Sequence, residues 1–159
     1  MVVGTFGKAL GVAGAFVATS EPVAELLWNR ARSLVFSTAV PPMMAAAASA
    51  AISWVRSADG DATRHSLVQR LREAGLGARQ IAPVVIGEDA RAMECTRRLL
   101  DAGLYVQGIR PPTVPEGTSR LRVSITAAHE ASDIARLGIA LDRLEQDGLV
   151  PRGTRARLE

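Results

Sequence analysis

The sequence is poor in several kinds of chemistry. Its 159 residues include one cysteine, one lysine and two histidines, and only 4% are aromatic. With Cys95 alone no internal disulfide can form, which fits a reducing compartment. Cys95 falls in an amphipathic helical pattern and reads as a small core residue, not a nucleophile. His65 and His129 lack ligand-like neighbours in the chain, so neither is assigned to a metal. The net charge of +3 comes from arginines, some of them near the C-terminus at Arg152, Arg155 and Arg157. Because they are otherwise scattered and aromatics are few, no nucleic-acid surface is expected. Long apolar runs are also missing. Residues 39–55 are broken by Pro41-Pro42 and fall short of the roughly 20 residues a spanning helix needs. Residues 9–18 imitate a signal peptide but are interrupted by glycines. These absences predict a cytoplasmic protein with neither a membrane nor a nucleic acid as partner.

Hydrophobic content of 48% and charged content of 22% describe an ordinary globular chain. What stands out is the setting of the one lysine. Gly4-Thr5-Phe6-Gly7-Lys8-Ala9-Leu10-Gly11 puts Lys8 in a glycine-rich turn between apolar, strand-like runs. Arginine cannot replace lysine where a neutral amine is needed, because its guanidinium stays charged. A lysine on such a turn can be a Schiff-base nucleophile where desolvation or nearby positive charge lowers its pKa. The stretch is not a phosphate-binding loop of the Walker type, since no Ser or Thr follows Lys8.

Periodicity supplies a coarse map. Residues 12–18 read as a short buried strand, and 20–32 as a helix with Ser20 as cap. Residues 39–55 read as a buried, Ala-rich helix starting at the prolines. The polar Asp59-Gly60-Asp61 marks a boundary between two lobes. Beyond it the pattern predicts a helix over 62–74, a strand over 81–86, a helix over 89–102 stopped by Gly103, and a strand over 104–109. A Pro-rich loop, a strand over 120–126 and a helix over 130–146 follow. In that last helix Ile134, Leu137, Leu141 and Leu144 form one apolar stripe. This alternation predicts an α/β sandwich after residue 60, with Pro83 on an edge strand or at a strand start. Within 120–126, Leu121, Val123 and Ile125 face one way and Arg120, Arg122, Ser124 and Thr126 the other. Taken alone, the two arginines read as a solvated sheet face, and Ser37 and Thr38 as caps of the helix after them.

Two motifs carry a family resemblance. The Lys8 segment runs on into Ala13-Gly14-Ala15-Phe16-Val17. The second motif is Ile109-Arg110-Pro111-Pro112-Thr113-Val114-Pro115-Glu116-Gly117-Thr118-Ser119-Arg120-Leu121-Arg122, continuing to Thr126-Ala127-Ala128-His129. Together they closely resemble the α-oxoamine synthases, pyridoxal-phosphate enzymes that join an amino acid to an acyl thioester. The similarity extends over about residues 2–144, and the wording around 109–112 and 126–129 is nearest to the biotin-forming branch. The implied architecture is α/β: the C-terminal part of a fold type I, aspartate aminotransferase-like transferase. Residues 1–58 would end the large cofactor-binding domain, and residues 59–159 would form the small C-terminal domain.

The resemblance also implies roles. Lys8 would bind pyridoxal 5'-phosphate covalently and act as catalytic base. Thr5 would contact the cofactor phosphate, and Ser37 and Thr38 would reach the phosphate of the partner subunit in a homodimer. Arg122 would bind the amino-acid carboxylate, a role for which a planar guanidinium with two parallel donors is suited. Thr113 would touch substrate, while Arg120 stays a structural or surface residue and His129 a structural or capping one. The implied reaction condenses L-alanine with pimeloyl-CoA or a pimeloyl-carrier protein and loses carbon dioxide. Alternatives within the same reading are glycine or serine with another acyl-CoA, or a non-catalytic fragment. Family members carry a long region before the lysine that supplies the phosphate loop, the ring-stacking aromatic and an aspartate for the pyridine nitrogen. None is found in this chain, and the connection over 72–81 is shortened. The 159 residues alone are therefore expected to be inactive, with the apolar surfaces of 12–18 and 39–55 left bare.

Overall fold

Short apolar runs separated by glycines begin the chain, and they pair with one another. Strand β1 (Val2–Thr5) lies antiparallel to β2 (Ala15–Ala18), with Val2 opposite Ala18 and Thr5 opposite Ala15. The computed structural model describes residues 1–77 and 80–154. Arg155 and Arg157 of the C-terminal arginine group lie outside the described residues, as do two positions of the shortened 72–81 connection. The chain divides into two compact units, Met1–Asp61 and Ala62–Glu159.

In the first unit the ribbon is followed by α1 (Glu21–Arg30), α2 (Arg32–Val35), α3 (Pro42–Val55) and the start of α4 (Ala58–Glu73). Ser20 occupies the N-cap of α1, but its side chain makes no capping bond. Glu21 in the first turn complements the positive helix end instead. Neither apolar segment is buried within these residues, in line with the bare surfaces expected of the 159 residues alone. The strand is shorter than 12–18 and all four of its residues are exposed. The Ala-rich helix is present from Pro42, yet Ala48 is its one buried residue. Apolar composition measures what a segment could bury; burial also requires a covering surface, and a two-stranded ribbon supplies little. Helix α4 begins before the predicted position 62. Ser57 Oγ accepts the Gly60 N–H at 3.2 Å, satisfying a first-turn donor. Gly60 is needed there, since a Cβ would sit 2.4 Å from the Trp54 carbonyl oxygen.

The second unit contains the core. Strands β3 (Ile81–Gly87), β4 (Gln107–Ile109) and β5 (Ser119–Ser124) form an antiparallel sheet in the order β3-β5-β4. The rest of α4, with helices α5 (Asp89–Asp101) and α6 (Ala131–Gln146), completes the α/β unit. Pro83 is on the edge strand β3, where its missing N–H costs no ladder bond to a second neighbour. Val84, Leu121 and Val123 pack with Ala92, Cys95, Leu99 and the α6 stripe Ile134, Leu137, Leu141 and Leu144. Fully burying each of these larger side chains contributes about 1.5–3 kcal/mol. Burial raises the pKa of the Cys95 thiol, in keeping with a core residue.

Two strands are shorter than the pattern predicts, for local reasons. The Leu104 N–H bonds the Leu99 carbonyl at 2.8 Å and Gly103 has φ +75°, so 103–104 belong to the stop of α5. At the other end the Thr126 N–H donates to His129 Nδ1 at 3.0 Å, which takes residue 126 out of β5. His129 thus serves as a local cap.

On the outer face of α5, Glu94 Oε1 accepts from Arg97 at 2.7 Å and from Arg98 at 2.8 Å. These hydrogen bonds hold the Glu94 carboxyl down at about 2, well below its ordinary value. A lowered carboxylate pKa stabilises the folded state above the unfolded-state value and loses that contribution as pH falls toward the folded one. Glu94→Gln is therefore expected to lower the melting temperature slightly at pH 6. That gap is small because surface pairs contribute little, and it should close between about pH 4.5 and pH 2 as Glu94 takes up its proton. A gap that widens on acidification would contradict this sign.

Candidate functional site

The lysine loop is shaped by its glycines and by one aromatic pair. Residues 6–14 join β1 to β2. The Phe6 N–H donates to the Gly14 carbonyl at 3.0 Å, Val12 N–H to Phe6 at 3.1 Å, and Gly11 N–H to Lys8 at 3.0 Å. Gly11 has φ +63° and Gly14 φ +120°, conformations that disfavour other residues. Below the loop the Phe16 ring lies over Gly4, where a Cβ would approach it to 2.4 Å. Phe16 also stacks on Phe6 with ring centroids 5.4 Å apart. The pair braces the hairpin from beneath and leaves Lys8 exposed in the loop.

Thr5 closes β1 and is exposed, so the hairpin carries both Thr5 and Lys8. Ser37 and Thr38 belong to the same unit, in the connection between α2 and α3, and both are exposed. They do not cap α3. Pro41 is its N-cap and makes no side-chain capping bond, because the chain enters the helix through the prolines and leaves the hydroxyls upstream. These hydroxyls are available to a ligand. An accessible amine and three accessible hydroxyls suit the aldehyde and phosphate of pyridoxal phosphate in donor chemistry.

Thr113 and Arg122 lie in the second unit, on one hairpin made by β4, the loop 110–118 and β5. Arg122 is on the central strand, opposite Pro83 on one side and Gln107 on the other. It is exposed, while Leu121 and Val123 on either side are buried, as the alternation requires. Arg120 is half-buried and its Nε donates to the Thr118 carbonyl at 3.0 Å. That bond gives Arg120 a local structural partner. Thr113 is exposed in the loop, its N–H bonded to the Arg110 carbonyl at 3.1 Å.

Sequence patterns gave no sign of two supports of this hairpin. Arg70 Nη1, on α4, donates to the carbonyls of Ala127 at 2.7 Å and His129 at 2.6 Å, pinning the turn after β5. At the other end of β5, the buried Ser119 donates to Asp89 at 2.5 Å. Both contacts join residues 30 or more positions apart, and neither residue type is distinctive by itself. Among the described residues no cluster of His, Cys, Asp and Glu could hold a metal ion, and no helix is long and apolar enough to cross a membrane.

Comparison with known proteins adds independent information. The aminotransferase class I and II family profile matches residues 1–141. The chain is 50% identical over 155 residues to the 8-amino-7-oxononanoate synthase of Geobacter sulfurreducens, covering 91% of this chain and 40% of that protein. The synthase of Klebsiella pneumoniae (strain 342) is 46% identical over 152 residues, covering 89% and 40%. Among solved structures, the Sphingomonas wittichii serine palmitoyltransferase aligns with a TM-score of 0.77 at 30% identity, over 94% of this chain and 40% of that one. A lysine-to-alanine variant of the serine palmitoyltransferase of S. paucimobilis, solved with a bound PLP–myriocin aldimine, gives 0.74 at 28% identity, over 93% and 40%. An 8-amino-7-oxononanoate synthase from Francisella tularensis gives 0.73 at 24%, over 92% and 46%, a likeness of fold. The chain spans about 40% of the length of the curated relatives.

Proposed function

The chain belongs to the aminotransferase class I and II family, and from that premise we propose that it carries the lysine and carboxylate-binding parts of a pyridoxal-phosphate acyltransferase. The reaction is the condensation of L-alanine with a pimeloyl thioester, of coenzyme A or a carrier protein. Its products are 8-amino-7-oxononanoate, carbon dioxide and the free thiol, a step of biotin formation in the cytoplasm. The carrying observation is Lys8, the chain's only lysine, exposed in a glycine-turned loop. The identity to synthases of that name, 43–50% over most of this chain, favours alanine as the amino acid.

Each role is the one the family resemblance implies, and the side-chain chemistry suits it. Lys8 Nζ holds the cofactor and moves the proton of the alanine α-carbon. When bound, pyridoxal phosphate supplies the electron sink for the charge left on that carbon. Thr5 donates to the cofactor phosphate. Ser37 and Thr38 do so across the interface of a homodimer, as hydroxyl donors suited to a phosphate. Arg122 grips the alanine carboxylate with paired N–H donors and Thr113 contacts substrate from its loop. Residues 1–58 would then end the cofactor-binding domain and residues 59–159 would form the small domain. The exposed Val2, Val3, Phe16, Trp28 and Met43 of the first unit fit a surface that packs against further protein.

The test joins this chain to the part of the Geobacter sulfurreducens relative that it does not cover, then supplies pimeloyl-CoA with alanine, glycine or serine. Mass spectrometry should find 8-amino-7-oxononanoate and a clear preference for alanine. Faster turnover with glycine or serine would overturn the substrate assignment. The 159-residue polypeptide by itself is expected to give no turnover.

A further inference from the structure

Ser119 is fully buried, and it is the one buried polar side chain among the described residues. Its Oγ donates to Asp89 Oδ1 at 2.5 Å, the length of a charge-assisted O–H···O bond. Asp89 opens α5 and Ser119 opens β5. The bond therefore ties a helix head to the start of the central strand. It sits where the β3–β5 register slips, between Val85 and Gly87, with Gly87 opposite Ser119 at φ +98°. Helix capping does not account for this arrangement, since the N-cap of α5 is Glu88 and makes no side-chain capping bond.

The location of the bond relative to the hairpin is what gives it meaning. The loop 110–118 ends at Ser119, and Arg122 lies three residues further along β5. The loop's own bonds are local: Thr113 N–H to Arg110 at 3.1 Å, and Thr118 Oγ1 to Pro115 at 2.7 Å. Ser119 belongs to the core-facing set with Leu121 and Val123, whereas Arg122 points to the other side. The hydroxyl therefore cannot touch a ligand held by Arg122, but it fixes the strand that carries Arg122 and the end of the loop that carries Thr113. We infer that Asp89 and Ser119 form a positioning pair for amino-acid binding. They act through Arg122 and Thr113, so that losing their bond weakens capture of the amino-acid carboxylate. The inference rests on the carboxylate role proposed above for Arg122. Displacement of a binding group by a fraction of an ångström is enough, since about 1 Å can cost on the order of 100-fold.

The experiment uses the chimera described above and measures KM for alanine and for pimeloyl-CoA, with melting temperatures alongside. Ser119→Ala and Asp89→Ala are each expected to raise the alanine KM roughly fivefold or more. The thioester KM should change less than about twofold, and the double variant should be no worse than either single one. Asp89→Asn keeps an acceptor oxygen and should restore alanine KM to near the parent value. Asp89 is exposed, so Asp89→Ala removes the bond without opening a core cavity. A lowered melting temperature with unchanged alanine KM in both alanine variants would overturn the inference. Arg122→Ala is the control that separates the two failures. If it raises alanine KM while Ser119→Ala and Asp89→Ala do not, only the positioning role is lost. If Arg122→Ala itself leaves alanine KM unchanged, the carboxylate role falls and the positioning role with it.

Discussion

In the same chimera Lys8→Arg is expected to be as inactive as Lys8→Ala, with turnover reduced by about 1,000-fold or more and no visible band from covalently held cofactor. The two substitutions differ in charge and size, so a role in simple electrostatics would separate them. A covalent bond to an aldehyde needs a primary amine that can become neutral, and a guanidinium does not supply one. No second lysine exists in this chain to take over. The loop itself should survive both changes, because its hydrogen bonds are made by backbone atoms and its brace is the Phe6–Phe16 stack. Circular dichroism of the variants should match the parent. The shared-site arrangement can be read from the same protein: mixing Lys8→Ala with a Ser37→Ala/Thr38→Ala variant should restore part of the activity. Normal turnover by Lys8→Ala would remove the basis of the assignment, and no recovery in mixtures that exchange subunits would place both segments in one subunit's site.

Arg122→Ala should weaken alanine binding by about 2–5 kcal/mol, the scale for losing one partner of a close charge pair. That corresponds to a rise in alanine KM of roughly 30-fold or more. Thioester KM should move little. Arg120→Ala should have a much smaller effect, since Arg120 is engaged with the Thr118 carbonyl. The two arginines are two residues apart on one face of β5, so a general effect of positive charge on that face would affect both variants alike. Equal losses of alanine affinity would therefore favour a solvated arginine face over a specific carboxylate contact. Arg122→Lys retains the charge but loses the paired donors, and should fall between alanine and the parent.

How much of this was readable in the sequence depended on how local the responsible physics is. The α6 stripe and the alternation of β5 follow from periods of a few residues, and Ile134, Leu137, Leu141, Leu144, Leu121 and Val123 are all buried as those periods require. Gly103 stopping α5 is equally local. Residues 12–18 and 39–55 are apolar enough to be buried, but burial depends on what lies over them, and within the first unit they stay exposed. Ser37 and Thr38 looked like caps because hydroxyls before a helix usually are; the two prolines moved the helix start past them. The lysine loop could be located from its wording, but its brace could not. The Phe16 ring over Gly4 is a cross-strand contact that exists only once the register is set. The Arg70 and Asp89–Ser119 supports were invisible for the same reason, since each joins segments that only the fold makes neighbours.

Cys95 has a practical consequence for work on this protein. It is the chain's one thiol, it is fully buried on the core-facing side of α5, and burial raises its pKa. A maleimide needs an accessible thiolate, so the native second unit should exclude the reagent at neutral pH. Labelling of the 159-residue chain would then report opening of that unit and of no other segment, because no competing cysteine exists. The same silence lets a cysteine introduced at an exposed position, such as the one held by Tyr105, take a fluorophore selectively in the folded chain without first replacing Cys95.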